Sequence, residues 1–271
     1  MLRARIQTAV ILLAGLLASV FLLPRAYWIA LVGALLAVAA WEWAALARIG
    51  PVGRSLYALA ISGAGVWAGW NVGSDALFDA SWLYAAATVF WVILAPVWLW
   101  ERPAFGNPIM PLAAGVAVLV PNAAALVEFR AENPALLLAV MAVVWISDIS
   151  AYFAGRLFGR NKLAPSISPG KTWEGVYGAL MTVTVYAIGW IAVAGPRPMP
   201  LKHADLGHLW FVLMLLALAA AGVAGDLLES QMKRQAGVKD SGTLLPGHGG
   251  MLDRIDALLP VLPMAALVLL K

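Results

Sequence analysis

The sequence predicts an all-α, polytopic integral membrane protein, and three observations carry that reading. Of 271 residues, 63% are hydrophobic and only 12% are charged, a balance foreign to water-soluble domains. The mean hydropathy is +0.86. Apolar stretches of helical length recur along the whole chain, and roughly 20 such residues cross a bilayer core.

Nine stretches are expected to be transmembrane helices. Residues 6–23 follow Met-Leu-Arg-Ala-Arg, which has the charge of a signal peptide, yet no small-residue cleavage site precedes Pro24-Arg25, so the segment is read as a retained helix. Residues 26–47, 55–70, 82–100 and 111–127 continue the series through short connections, the stretch at 55–70 being short enough to tilt or to re-enter. Residues 135–157 and 209–228 carry acids, Asp148 and Asp226, inside or near the ends of otherwise apolar helices. Between them lies the stretch at 175–194, followed by a Pro-rich connector from Pro196 to His208. Residues 257–270 form the last, again short. The chain thus divides into N-terminal helices, 1–133, and a C-terminal region, 134–271, with two polar loops at 156–174 and 229–256. Neither a soluble domain nor a repeat of fixed period is visible.

With no cysteine in the chain, disulfides, thiolate metal sites and cysteine nucleophiles are excluded. The net charge of +4 is spread over short loops and forms no single basic face. Phospholipid and nucleotide phosphates are therefore the expected partners, and nucleic acid is not. With the N-terminus in the cytoplasm, thirteen of the eighteen Lys and Arg fall on the cytoplasmic side; Arg25, Arg130, Arg197, Lys202 and Lys271 fall on the other. Both polar loops then face the cytoplasm, where nucleotides are. Trp28, Trp70, Trp82, Trp100, Trp173 and Trp210 sit near helix ends, the place of interfacial anchors.

Six acids of the N-terminal half, Glu42, Asp75, Asp79, Glu101, Glu128 and Glu132, form no pattern that reads as a site. The chemistry is expected in the C-terminal region. An ionisable group in hydrocarbon costs several kcal/mol and persists where it is paired, hydrated or functional, which makes the run Ser230–Asp256 a site by default. On a continuing helix Asp226, Glu229, Ser230 and Lys233 share one stripe. Gly237, Gly242, Gly247, Gly249 and Gly250 permit tight turns that bring amide N–H groups to an anion. Lys233, Arg234, Lys239 and Arg254 add positive charge, and Asp253 and Asp256 open the last helix. Carboxylates beside cations suit a divalent ion held by Asp while Lys and Arg clamp a polyphosphate; magnesium takes one or two carboxylates plus substrate phosphates. Taken singly, the same residues also read as helix-terminal acids, topogenic cations and a turn.

A second constellation precedes it. Asp148, Tyr152 and Gly155 share a helical face, and Ser168-Pro169-Gly170-Lys171-Thr172 places hydroxyls and an ammonium just before a helix whose N-terminus favours phosphate. The spacing is not that of a P-loop, and a turn with an N-capping Ser or Thr is the plain alternative. His248, between Gly247 and Gly249, is a candidate phosphate donor, metal ligand or base. A phosphomonoester nucleophile needs no base, since its second pKa is about 6. Positioning and charge neutralisation then suffice.

These residues resemble the phosphatidate cytidylyltransferases, or CDP-diacylglycerol synthases. That family's signature reads Ser-x-hydrophobic-Lys-Arg, four residues, Lys-Asp-x-Gly/Ser/Ala, then Pro/Gly-x-His-Gly-Gly, two hydrophobic residues and Asp-Arg-x-Asp. It maps without a gap onto Ser230, Lys233, Arg234, Lys239, Asp240, Gly242, Pro246, His248, Gly249, Gly250, Asp253, Arg254 and Asp256. Asp148 to Tyr152 and Ser168 to Gly175 match two further family segments, with Gly170 standing where a second Lys is often found. The N-terminal helices resemble the family in hydropathy alone.

The resemblance implies conversion of CTP and phosphatidate to CDP-diacylglycerol and pyrophosphate, with Mg²⁺, in the bacterial inner membrane among its lipids, with the site facing the cytoplasm. It also implies a homodimer, for which no sequence feature speaks. Asp226 and Asp253 are expected to ligate the metal, with Asp148 or Glu229 nearby. Lys171, Lys239 and Arg254 are expected on phosphates. Ser168, Thr172, Ser230, Lys233, Arg234, Asp240, His248, Gly249 and Gly250 are expected to shape the loops or touch substrate. The rival from another class is an ion-coupled transporter using Asp148 and Asp226, which predicts flux without CTP consumption and leaves the Gly-rich loop unexplained. A related transferase acting on another lipid phosphate is the second rival.

Overall fold

The computed structural model of the chain describes residues 2–73, 78–103, 107–194, 207–244 and 249–271. Its helices are α1 (Leu2–Leu22), α2 (Arg25–Leu46), α3 (Pro51–Asn71), α4 (Ser81–Val89), α5 (Ala95–Glu101), α6 (Ile109–Glu132), α7 (Pro134–Phe158), α8 (Trp173–Ala194), α9 (Gly207–Ala236), α10 (Leu252–Ile255) and α11 (Leu258–Leu269). Helices α4 and α5 form one rod through a π turn over Phe90–Leu94. Pro96 has no N–H to give the carbonyl four residues back, so the ladder widens there without breaking.

Every expected stretch is helical, but the expectation of nine spans is not met by length and apolarity. Among the described residues six helices qualify: α2, the α4–α5 rod, α6, α7, α8 and α9. Helix α11 has 12 residues, about 18 Å of rise against a hydrocarbon core of about 30 Å. Helix α3 is long enough but carries Arg54, Ser55, Ser62 and Asn71. The chain is a multi-pass membrane protein. Helix α8 shows how a lipid-facing surface is made, with exposed Tyr177, Met181, Val185 and Ile188 spaced three and four apart along one stripe.

The short α11 sits in the middle, packed against α4, α6, α7 and α9, and most of its side chains are buried. Its Pro263 cannot donate to the carbonyl of Leu259. Asn122 of α6, itself buried, fills that gap, its Nδ2 donating to Leu259 O at 3.2 Å and to Leu258 O at 2.9 Å. A buried amide in an apolar helix is thereby satisfied, and α6 is locked to α11. Helix α9 approaches the start of α11 closely at Gly225, where a Cβ would lie 2.4 Å from Asp256 O.

The two ends of the bundle differ. At one, Lys271 pairs with Glu128 at 2.6 Å and with Asp79 at 3.6 Å, Tyr84 Oη donates to Glu128 at 2.5 Å, and Arg25 donates to Trp70 O at 2.9 Å. Arg130 stacks over Trp28 there, 5.1 Å from the ring centre. Trp28 is buried, so the expectation that it anchors at the lipid interface is corrected; Trp70, Trp82, Trp100, Trp173 and Trp210 are exposed as anchors should be. At the other end the polar loop at 156–174 folds into a hairpin, β1 (Lys162–Ala164) and β2 (Ser168–Thr172), antiparallel with Lys162 opposite Thr172 and Ala164 opposite Ser168. Arg102 donates to Ser166 Oγ at 2.7 Å and Arg234 to Ile167 O at 3.3 Å, pinning the hairpin tip.

Candidate active site

Two polar clusters meet at the hairpin end. The first draws Asp148 from α7, Lys171 from β2 and Asp226 from α9. Strand β2 runs directly into α8, whose first turn Thr172 caps by accepting the Gly175 N–H at 3.1 Å. The N-capping alternative for Thr172 is thus realised. With that corner held, Lys171 Nζ lies 2.7 Å from Asp226 Oδ2, and Ser230 Oγ donates to Asp226 Oδ1 at 3.1 Å. Asp148, Lys171 and Asp226 line a pocket of about 540 Å³, with Ser168, Tyr152 and Arg156 also on its walls. The face predicted for Asp148, Tyr152 and Gly155 is the face turned to this pocket. Its volume is that of a ligand site.

The second cluster is centred on Lys233, 2.5 Å from Glu229 Oε2 and 2.5 Å from Asp253 Oδ1. The other oxygen of Glu229, a fully buried residue, meets no donor among the described residues. Asp253 Oδ2 accepts from Gly250 N at 2.8 Å and from Ser241 N and Oγ at 3.0 Å each. Burial alone would raise the Asp253 carboxyl, but hydrogen bonds from Lys233, Gly250 and Ser241 hold it below its ordinary value. The stripe expected of α9 is therefore split: Asp226 turns to the hairpin and Lys233 to the loop. Asp256 lies within electrostatic reach of both clusters. Burial pushes its carboxyl up to about 7, and the negative charges of Asp226 and Asp148 act in the same sense.

The remaining expected residues fall on the loop. Lys239 and Asp240 are exposed there, and Arg254 is exposed on α10. Arg234 ties the hairpin tip to the loop through Ile167 O and Val238 O. Gly249 has φ +82, and a Cβ on it would meet Asp253 Oδ2 at 2.6 Å, so glycine is required there. His248 lies outside the described residues.

Among the described residues no three Asp, Glu or His side chains converge as a metal cage. Two carboxylates, Asp148 and Asp226, share the pocket with one lysine. A magnesium ion that takes one or two carboxylates and completes its shell with phosphate oxygens and water fits that donor set.

One residue that sequence reasoning set aside belongs here. Glu42 of α2 is buried and accepts from Ser241 Oγ at 3.0 Å, Met251 N at 3.0 Å and Leu252 N at 2.9 Å. The N-terminal half therefore does reach the site, against expectation. A lone acid between Trp41 and Trp43 in an apolar helix was the available signal.

Comparison with known proteins extends the likeness to the N-terminal helices. A model described as the cytidylyltransferase family matches residues 3–270. A relative from Haemophilus influenzae, named phosphatidate cytidylyltransferase, is 33% identical over 287 residues, covering 97% of this chain and 96% of its own. One of the same name from Pseudomonas aeruginosa is 39% identical over 279 residues, covering 99% and 97%. A third, from Staphylococcus epidermidis, is 40% identical over 146 residues, 53% of this chain and 52% of its own. The match runs through both polar clusters and the helices that carry them, and the chain belongs to the cytidylyltransferase family.

Proposed function

We propose that the protein joins CTP to phosphatidate, releasing pyrophosphate and leaving CDP-diacylglycerol in the membrane. The two relatives of nearly equal length are named for that activity. The observation that carries the reading is the pocket in which Lys171 pairs with Asp226 while Asp148 lines the same wall.

A phosphate oxygen of phosphatidate attacks the α-phosphorus of CTP. A P–O bond forms, the bond from the α-phosphorus to the bridging oxygen breaks, and its electron pair leaves with pyrophosphate. With a second pKa of about 6, the nucleophile is ionised at neutral pH, so no side chain has to take a proton. The protein's work is to align the two phosphates and to neutralise them. Lys171 stands at the pocket wall for this, and Lys239 on the loop and Arg254 on α10 would add positive charge to the triphosphate. Magnesium, held by Asp226 and Asp148 with Asp253 the third expected carboxylate, would supply charge neutralisation on the departing pyrophosphate.

The excess of Lys and Arg at this end supports a cytoplasmic orientation, and the bacterial origin of the relatives supports the inner membrane. A homodimer is proposed on family resemblance alone, and the mass of the protein in detergent tests it.

The experiment is incubation of purified protein in detergent with labelled CTP, phosphatidate and Mg²⁺, beside an EDTA control. Formation of CDP-diacylglycerol that EDTA abolishes is expected. No product from folded protein with any lipid phosphate or divalent ion, together with ion flux in vesicles, would turn the reading to a transporter.

A further inference from the structure

We propose that Glu42 is the positioning residue of the signature loop, holding it so that Lys239 and Arg254 meet the triphosphate of CTP. The proposal rests on the function proposed above, since those cations matter only if CTP is the substrate. Glu42 stands on α2, 199 residues from Ser241. No ion pair reaches it among the described residues. Its buried charge is met by hydrogen bonds from the loop: Met251 N on Oε1, and Leu252 N and Ser241 Oγ on Oε2.

The loop is moulded to this carboxylate. A Cβ on Gly242 would lie 2.3 Å from Glu42 Oε1, and one on Gly250 would lie 2.6 Å from each of its oxygens. Glycines at both positions let the chain wrap the acid on two sides. Ser241 Oγ stands 3.0 Å from Glu42 Oε2 and 3.0 Å from Asp253 Oδ2, so its single proton is shared by two carboxylates. Through Asp253 the chain continues to Lys233 and Glu229 on α9. The loop is thereby fastened to α2 at one side and α9 at the other, and Arg254 follows directly after Asp253.

A glutamine has the shape of Glu42 but turns an N–H₂ toward one backbone N–H, leaving that donor unmet. An unmet buried donor is costly enough to shift a local equilibrium about tenfold. The test is steady-state kinetics of wild type and Glu42→Gln with CTP and phosphatidate varied separately, alongside thermal unfolding with and without CTP. Expected are a rise of about tenfold in the KM for CTP, a KM for phosphatidate within about twofold of wild type, and loss of the CTP-induced shift in unfolding temperature. A merely structural role moves the unfolding temperature and the active fraction and leaves the KM for CTP where it was; that outcome overturns the proposal. Should Glu42→Gln fail to fold, Ser241→Ala removes only the shared hydroxyl and is read in the same way: a raised KM for CTP supports the proposal and an unchanged one overturns it. Wild-type protein that neither binds nor turns over CTP overturns the proposed function and this role together.

Discussion

Lys171 on β2 and Asp226 on α9 form an ion pair of 2.7 Å on the wall of the pocket. The lysine neutralises the carboxylate, and on the proposed function a metal would compete for Asp226 and substrate phosphates for the Lys171 ammonium. Both side chains are about a quarter to a third exposed, so the pair itself contributes little to stability. Lys171→Met is expected to lower turnover about a hundredfold, the usual loss when one transition-state electrostatic partner goes, with the unfolding temperature little changed. Steady-state rates and thermal unfolding of the same preparation check both halves.

Asp253 separates anchoring from metal binding. Asp253→Asn keeps an oxygen for the Gly250 and Ser241 donors but removes the charge opposite Lys233. If Asp253 also takes the metal, Asp253→Asn raises the Mg²⁺ concentration needed for half-maximal rate by about tenfold or more and lowers turnover about a hundredfold at saturation. A magnesium titration of the variant gives the result. Unchanged magnesium dependence would confine Asp253 to the loop.

The raised carboxyl of Asp256 has a signed consequence. Its folded value of about 7 lies above the ordinary 3.8, so folding favours the protonated form. Its contribution to stability is full below about pH 3.8 and is lost as pH rises through about 7. Between pH 5 and 8 the metal-free protein is expected to lose thermal stability, and Asp256→Asn is expected to flatten that part of the profile. Unfolding temperatures of both proteins in EDTA across this range decide it.

The opposite end of the bundle supplies a contrast. Lys271 is paired with Glu128 and Asp79, remote from the hairpin and the loop. Lys271→Met is expected to lower the unfolding temperature by a few degrees, since among the described residues it leaves Glu128 with only Tyr84 as a donor. Turnover at a temperature where the variant is fully folded is expected to stay within about twofold of wild type. A large loss of turnover there would mean that the two ends are coupled.

Close backbone approach yields one more expectation. Gly225→Val places a side chain where the Asp256 carbonyl and Pro260 now sit. Helix α9 is then pushed from α11, and Asp226 moves away from Lys171. The variant is expected to lose both activity and several degrees of thermal stability, as overpacking does.

The helices and both polar loops were legible because hydrocarbon solvent leaves few choices: apolar runs of sufficient length become helices, and charges gather where they are needed. The pocket face of Asp148, Tyr152 and Gly155 followed from helical spacing alone. Contacts between distant segments did not. Glu42 was visible as a lone acid in an apolar helix, but its partners lie far along the chain, and two of the three are backbone N–H groups, which carry no residue signature. Trp28 looked like an interfacial anchor because its position near a helix end is the same whether the ring meets lipid or Arg130. The stripe on α9 split because periodicity gives the angular position of Asp226 and Lys233 but not which neighbour each side chain reaches. Asn122 bonding to the carbonyls around Pro263 likewise needed two helices placed side by side.

The measurement that bears most directly on the central claim follows label from CTP. Purified protein is given phosphatidate, Mg²⁺ and CTP carrying phosphorus label at either the α or the γ position, and lipid and aqueous phases are counted separately. The account predicts α-label in the lipid and γ-label in released pyrophosphate, in equal amounts. Label from the γ position in the lipid, or turnover of CTP with neither label entering it, would contradict attack of the lipid phosphate on the α-phosphorus.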